Sequence, residues 1–146
     1  MILVSACLVG LNTKYNGKNN YYEKIFELVK SGKAIPLCPE QLGGLCTPRK
    51  PAEIKYIDGK KYIINKEGID VTEEYIRGAQ EVLNFVKKMN ITKAILKSNS
   101  PSCGVGKIYN GTFSGALVNG NGVLAKMLKE HGIEVITEED FIFKDY

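Results

Sequence analysis

The sequence predicts an α/β fold in which four parallel strands form a sheet flanked by helices, with an inserted β-hairpin. Short apolar runs alternate along the chain with segments whose apolar residues recur every three or four positions. This alternation is typical of a parallel sheet with helices on its faces. Right-handed crossovers favour the strand order 2-1-3-4. At 146 residues, positions 1–146 are expected to form one domain.

The first half of the chain is expected to contain two strands, one helix and a hairpin. Residues 38–51 hold three prolines and two glycines, a composition that predicts a long irregular loop. The dipeptide Asp58-Gly59 predicts a type I′ turn at the centre of the hairpin. The regular elements are the strand Ile2–Val4, the helix Tyr21–Ser31, the strand Ala34–Leu37 and the hairpin Glu53–Lys66.

The second half is expected to contain two helices and two strands. Asp70 is placed to cap the first of these helices, with Glu73 completing a capping box, and Asn90 ends it. The stretch Gly115–Gly122 is rich in glycine and predicted to be flexible, and the tail from Thr137 is acidic and aromatic. The residues of the first helix that are expected to be buried are Ile76, Ala79, Leu83 and Val86, and the strand Lys93–Leu96 follows this helix. The apolar face of the second helix consists of Val123, Leu124, Met127 and Leu128, and the fourth strand is Ile133–Ile136.

Composition narrows the class of protein. The chain is 44% hydrophobic and 25% charged, which is ordinary for a globular domain, and its net charge is +4. That mild excess suits an anionic or nucleotide-like ligand but not a stable nucleic-acid complex, which would need a concentrated basic patch. No apolar run approaches the length of a membrane span or of a signal peptide. We therefore expect a cytoplasmic protein, whose thiols stay reduced.

Three of the four cysteines follow predicted strands. Cys7 follows the first strand, Cys38 the second and Cys103 the third, where it lies in the turn-forming run Lys97–Gly106. The carboxyl edge of an open α/β sheet is where ligands bind. In the order 2-1-3-4 these three strands are neighbours, so the sulfurs are expected to converge. The pattern predicts a soft-metal or iron–sulfur site, although small buried cysteines are the plainer alternative.

The number of thiols favours a cluster over zinc. A structural zinc ion wants four protein ligands, but the chain has no Cys-x-x-Cys pair and a single histidine, His131, which we place at a helix end. Three thiolates would suit a [4Fe–4S] cluster with one open iron, an adaptation of the usual four-cysteine rule. Cys46 is the candidate fourth ligand and would close the site.

Several polar residues accompany the cysteines. Glu40 follows Cys38 by two residues and is a candidate general acid or base, or else a solvated loop carboxylate. Ser100 and Ser102 flank Pro101 as candidate substrate-binding hydroxyls, or as simple turn residues. Arg49 would suit a carboxylate such as Glu53 or a polar substrate edge.

Seven short motifs together resemble the DUF523 family across nearly the whole chain. Cys-Pro-Glu combined with Ser-Pro-Ser-Cys-Gly is the most specific pair, while Cys46 departs from the family pattern. The motifs, in order, are Ser5–Gly10, Tyr15–Gly17, Cys38–Leu45, Pro48-Arg49, Gly68–Thr72, Lys97–Gly104 and Ile108–Gly111.

The resemblance implies a Rossmann-like domain holding an oxygen-sensitive [4Fe–4S] cluster on Cys7, Cys38 and Cys103. It implies a desulfidase whose open iron binds the sulfur of a thiouracil-like nucleobase or nucleoside, so that C=S becomes C=O and sulfide is released. We hypothesise that Glu40 activates water and that Ser100 or Ser102 holds or protonates the leaving sulfur or a ring nitrogen.

Two other functions stay open from the sequence. One is a non-enzymatic metal-binding or redox-sensing domain, with a structural cluster or a zinc ion on all four cysteines. The other is sulfur delivery in the reverse direction, to thiolate a nucleoside. A requirement for Cys46 would favour the first, whereas dependence on Glu40 without Cys46 would favour the enzyme.

Overall fold

The structure is a computed structural model that describes residues 1–143. None of the helices in this range is long and apolar enough to cross a membrane. The strands are β1 (Ile2–Ser5), β2 (Ala34–Leu37), β3 (Ala52–Ile57), β4 (Lys60–Asn65), β5 (Lys93–Leu96), β6 (Lys107–Tyr109), β7 (Leu117–Asn119) and β8 (Glu134–Thr137). The helices are α1 (Glu23–Lys30), α2 (Pro39–Leu42), α3 (Thr72–Lys88), α4 (Val123–Glu130) and α5 (Glu138–Phe143), and Ala6–Val9 forms a 3-10 turn.

Four parallel strands form the main sheet in the order β2-β1-β5-β8, so the predicted order 2-1-3-4 is confirmed. Pro36 pairs with Val4 on the edge strand β2, a place where its missing N–H breaks no second ladder. The last predicted strand is shifted by one residue, because Ile133 lies before β8 begins at Glu134.

Successive side chains along a strand of the main sheet lie on opposite faces and pack in two separate hydrophobic cores. Leu3 and Ala94 pack on one face with α3 and α4, while Val4 and Ile95 pack on the other with α1. This follows from the period of two in a strand, which sends neighbouring residues to opposite faces. A sheet covered on both faces has only its strand ends free, and the carboxyl ends are where the cysteines stand.

Two antiparallel hairpins lie outside the main sheet. In the first, β3 pairs with β4, and Asp58 and Gly59 both have positive φ, at 52° and 78°, as the predicted type I′ turn requires. The second pairs β6 with β7. The stretch Gly115–Gly122 was predicted to be flexible, and this is wrong for Leu117–Asn119, which finds backbone partners in β6.

The predicted loop from Cys38 to Pro51 contains a helical turn, α2, and the prediction of no regular element there is wrong. Proline at the first helical position costs nothing, because that residue's N–H has no intrahelical partner. This turn matters for the site because it carries Glu40.

The start and the buried face of α3 also differ from the prediction. Val71, not Asp70, precedes the helix, and no side chain caps it. Asp70 instead accepts a hydrogen bond from the Thr72 N–H at 2.9 Å. Ile76 is 48% exposed rather than buried. Its neighbour Tyr75 takes the buried position, because the face packed against α2 includes Gly78.

Two glycines allow α2 to touch α3 backbone to backbone. A Cβ on Gly78 would lie 1.8 Å from the carbonyl oxygen of Pro39, and one on Gly43 would lie 1.9 Å from that of Glu74. Neither neighbour is a movable side-chain tip, so any larger residue forces the two helices apart. The spacing of α2 from α3 therefore rests on the absence of these side chains.

We expect Gly78→Ala to lower the free energy of unfolding by about 2 kcal/mol, since overpacking costs about 3 kcal/mol and helix propensity returns about 1. Urea titration followed by circular dichroism measures this change. Gln80→Ala, at an exposed position of the same helix, is the control and should stay within about 0.5 kcal/mol of the wild type. A Gly78→Ala protein as stable as the wild type would contradict the close contact.

Candidate active site

A cavity of about 500 Å³ opens at the carboxyl end of the main sheet. Cys7, Cys38 and Cys103 all line it, and the residues before them belong to or follow the adjacent strands β1, β2 and β5. All three are free thiols. The structure therefore brings together the three cysteines that the sequence placed at one edge of the sheet.

Cys7 and Cys38 both stand at the start of a helical turn. Cys7 lies in the 3-10 turn, where its carbonyl oxygen accepts a hydrogen bond from the Asn20 N–H at 2.9 Å and its sulfur lies 3.7 Å from Asn20 Nδ2. Cys38 is the residue that precedes α2. Both positions follow directly from a strand that ends in a turn.

Cys103 lies in a turn that is fixed by the start of α4. The N–H groups of Val123 and Leu124 donate to the carbonyl oxygens of Pro101 and Ser102 at 2.8 and 2.9 Å. A Cβ on Gly122 would lie 2.4 Å from the Ser102 carbonyl carbon, so glycine permits this approach. The first N–H groups of a helix have no partner within it, and here they hold the cysteine turn instead.

Hydrogen-bond donors surround the buried sulfurs. Ser5 Oγ lies 3.3 Å from Cys103 Sγ, and Ser102 Oγ lies 3.5 Å from it. Ser5 Oγ also accepts from the Lys97 N–H at 2.9 Å, which orients the hydroxyl. Donors aimed at sulfur are the outer partners that tune thiolate ligands in iron–sulfur sites.

Burial disfavours the thiolate forms. Desolvation, aided by the nearby Glu40 carboxylate, raises the pKa of Cys38 to about 12. Desolvation likewise raises the pKa of Cys7 and of Cys103 above their ordinary values. These thiols stay protonated at neutral pH unless a bound cation stabilises their anions, so they are not activated nucleophiles on their own.

The arrangement of the thiols suits a cluster better than a single ion. Within residues 1–143, no three histidine, cysteine, aspartate or glutamate side chains lie close enough to hold one metal ion. In a cluster each thiolate binds a different iron, so three thiols spread around one cavity fit it. Cys46 is exposed and is not part of the cavity wall. The donor set for a closed zinc site on four cysteines is not assembled among the described residues.

Glu40 is a buried carboxylate in the wall of this cavity, not a solvated loop residue. It is 8% exposed. One carboxylate oxygen accepts a hydrogen bond from Ser102 Oγ, and the other lies 3.3 Å from Cys38 Sγ. The hydrogen bond from Ser102 fixes this carboxylate, which also borders the cavity. A carboxylate in such a place can act as a general acid or base on a bound molecule.

The two serines occupy different depths. Ser100 lines the cavity, and its Oγ accepts a hydrogen bond from the Cys103 N–H at 2.8 Å. Ser102 is fully buried behind Glu40. A molecule in the cavity therefore meets Ser100 and Glu40, while Ser102, which does not line the cavity, contacts Glu40 from behind.

Lys97 brings a positive charge to the cavity and is fixed by a residue far along the chain. Its Nζ lies 3.2 Å from Glu138 Oε1, and the Ser98 N–H and hydroxyl donate to the same carboxylate at 2.8 and 2.7 Å. Glu138 is 1% exposed at the start of α5. The role of the tail, which the sequence left open, is in part to fix this wall of the site.

Arg49 and Glu53 both line the cavity but are not partners, contrary to the interaction suggested by the sequence. Arg49 donates to the Thr13 carbonyl oxygen and to Thr47 Oγ1, both at 2.9 Å. Glu53, 8% exposed, accepts from the N–H groups of Gly111 and Phe113 at 3.0 and 3.1 Å. Glu53 therefore supports the loop between β6 and β7, whose Phe113 borders the cavity.

Sequence reasoning missed Tyr75, Ser5, Asn20 and Glu138. Ser5 stands two residues before Cys7 and has a detectable signal, since a hydroxyl ending a buried strand needs a partner. Glu138 meets Lys97 across 41 positions, and nothing local indicates that contact. Tyr75 was missed because the predicted buried face of the helix contained its neighbour Ile76 instead.

Comparisons with known proteins agree with this geometry. A family model described as 2-thiouracil desulfurase matches residues 2–140. The uncharacterized protein YbbK of Bacillus subtilis strain 168 is 49% identical over 146 residues, covering 96% of this chain and 97% of its own. The solved structure of the [4Fe–4S]-dependent thiouracil desulfidase TudS (DUF523Vcz) superposes with a TM-score of 0.88 at 40% identity, covering 97% of this chain and 92% of its own.

Proposed function

Because the chain belongs to the 2-thiouracil desulfurase family, as its motifs predicted, we propose that it removes sulfur from a thiolated pyrimidine of the thiouracil type. The net reaction adds water, so that C=S becomes C=O and sulfide is released. The observation that carries the proposal is the shared cavity, in which three thiols and a buried carboxylate face the same space. The dependence of TudS on a [4Fe–4S] cluster supports the same proposal for this chain.

Cys7, Cys38 and Cys103 would hold the cluster. When bound, the group would supply an iron without a protein ligand, a Lewis acid that polarises the C–S bond and takes up the sulfur. Ser5 and Asn20 would donate hydrogen bonds to the thiolate sulfurs, since their side chains already lie 3.3 and 3.7 Å from Cys103 Sγ and Cys7 Sγ. No redox change is needed for the net reaction.

Glu40 would take the proton from the attacking water. The Ser102 hydroxyl donates to one of its oxygens, which leaves the carboxylate fixed against rotation. Ser100, on the cavity wall, would donate to the leaving sulfur or to a ring nitrogen as charge develops there. Glu40 and Ser100 are thus proposed in the roles expected from the sequence, whereas Ser102, buried behind Glu40, would position that carboxylate instead of touching the leaving sulfur or a ring nitrogen.

The cavity wall favours a small polar heterocycle. Lys14, Arg49, Lys66 and Lys97 outnumber the carboxylates of Glu40 and Glu53 along it. Such a lining attracts electron-rich groups such as a thiolated ring or departing sulfide. A volume of about 500 Å³ lies within the range of small-molecule sites.

The test is anaerobic purification and reconstitution, followed by iron and sulfide analysis and incubation with 2-thiouracil. We expect a four-iron cluster and formation of uracil with an equal amount of released sulfide, measured by chromatography and a colorimetric sulfide assay. A loaded protein that converts neither thiouracil nor its nucleoside would refute the proposal. It would favour the non-enzymatic cluster domain instead.

A further inference from the structure

Tyr75 is a buried phenol at the edge of the cavity that the reaction described above does not use. It lies in α3, is 4% exposed and packs in the core cluster that also contains Cys103 and Ile54. It also lines the cavity. The side chain is therefore almost wholly buried, and the little surface it keeps faces the site.

The Tyr75 hydroxyl has no hydrogen-bond partner among residues 1–143. In that range, the only fully enclosed side-chain polar atom without a partner is Oε2 of Glu74, so the phenol oxygen is not sealed off. Since the residue is 4% exposed and borders the cavity, the oxygen meets the cavity.

The hydroxyl presents a proton to the cavity. Desolvation, together with the nearby Glu40 carboxylate, raises the pKa of Tyr75 well above its ordinary value. A phenol hydroxyl carries one proton that it can donate to a hydrogen-bond acceptor. An acceptor on a bound molecule is the partner that it lacks.

We propose that the Tyr75 hydroxyl donates a hydrogen bond to an acceptor atom of the heterocycle bound in the cavity. This rests on the proposed function in taking that heterocycle to be a pyrimidine with an exocyclic oxygen. The Tyr75 hydroxyl selects rings that carry such an acceptor, while the thiol side of the cavity receives the sulfur. A site built to pair a ring oxygen discriminates strongly against analogues that lack it.

The test compares Tyr75→Phe with the wild type in three measurements. The reconstituted proteins are assayed for kcat/KM on 2-thiouracil and titrated with uracil by NMR, and the cluster-free proteins are melted. We expect a roughly tenfold loss of kcat/KM and of uracil affinity, the effect of one neutral hydrogen bond. The Tm should stay close to that of the wild type, because the Tyr75 hydroxyl makes no hydrogen bond to residues 1–143.

Tyr62→Phe is the matched control, since Tyr62 lies on β4 away from this cavity, and its uracil affinity should equal that of the wild type. A lower Tm for Tyr75→Phe with unchanged uracil affinity would show a structural hydroxyl and overturn the proposal. An altered cluster spectrum with unchanged uracil affinity would place the hydroxyl against the cluster and overturn it equally.

The uracil titration distinguishes a failure of this proposal from a failure of the proposed function. If wild-type protein does not desulfurate 2-thiouracil, the uracil titration alone decides the role of Tyr75. Tenfold weaker uracil binding by Tyr75→Phe would still support it. Equal binding by the two proteins, or no binding by the wild type, would overturn it.

Discussion

Replacing Cys103 by alanine is expected to abolish cluster binding and desulfidase turnover, whereas replacing Cys46 by alanine should leave both unchanged. Cys103 is 4% exposed on the cavity wall, while Cys46 is exposed outside it. With three thiols assembled, losing one leaves two irons of the cluster without protein ligands. Iron and sulfide content after anaerobic reconstitution should fall from about four per chain to near zero.

The same loss is expected for Cys7→Ala and Cys38→Ala. Thermal unfolding of the cluster-free variants checks that the fold survives, because removal of a small buried thiol costs only about 1 kcal/mol. Full turnover of thiouracil by Cys103→Ala would contradict the proposal that turnover depends on a cluster held by Cys103. Iron lost together with Cys46 would instead indicate a closed site and a structural role for the metal.

The second large effect is expected at Glu40. Glu40→Gln keeps the size of the side chain and a partner for Ser102 but cannot take a proton from water. Turnover of 2-thiouracil should fall by about 10²–10⁴-fold, the usual contribution of a general base. Cluster content should stay at the wild-type level, which separates a defect in proton transfer from a defect in assembly.

Glu53→Gln provides a matched control in the same cavity. Glu53 is equally buried at 8%, and both of its N–H donors bond to Oε1, an acceptor that glutamine retains. We expect its kcat to stay within a few-fold of the wild type. Equal losses in the two variants would mean that negative charge in the cavity, rather than a base at position 40, supports turnover.

Features that depend on residues close together in the sequence could be predicted, whereas features that depend on contacts between distant residues could not. The strand runs ending before Cys7, Cys38 and Cys103 are local patterns, and crossover handedness then orders them, so the sheet and its edge were predictable. The type I′ turn at Asp58-Gly59 was predictable for the same reason, because two residues determine it.

The errors come from contacts between elements. Whether Tyr75 or Ile76 is buried depends on where α2 presses against α3, and that contact depends on Gly43 and Gly78. Asp70 has a good capping sequence, but its carboxylate is engaged by Thr72, which in turn accepts the Ile63 N–H at 2.9 Å from β4. Local propensity gives way to tertiary partners in both cases.

The order of the strands also bears on how the protein is made. Among the described strands β1 is synthesised before the others, and it lies between β2 and β5, of which β5 ends only at Leu96. The wall that carries Lys97 is completed later still, by Glu138. Because synthesis proceeds from the N-terminus, a nascent chain presents Cys7 and Cys38 long before their shared cavity exists. If the chain carries the proposed cluster, we therefore expect the cluster to be inserted only after synthesis has passed Glu138, and the early thiols to need a reducing environment until then.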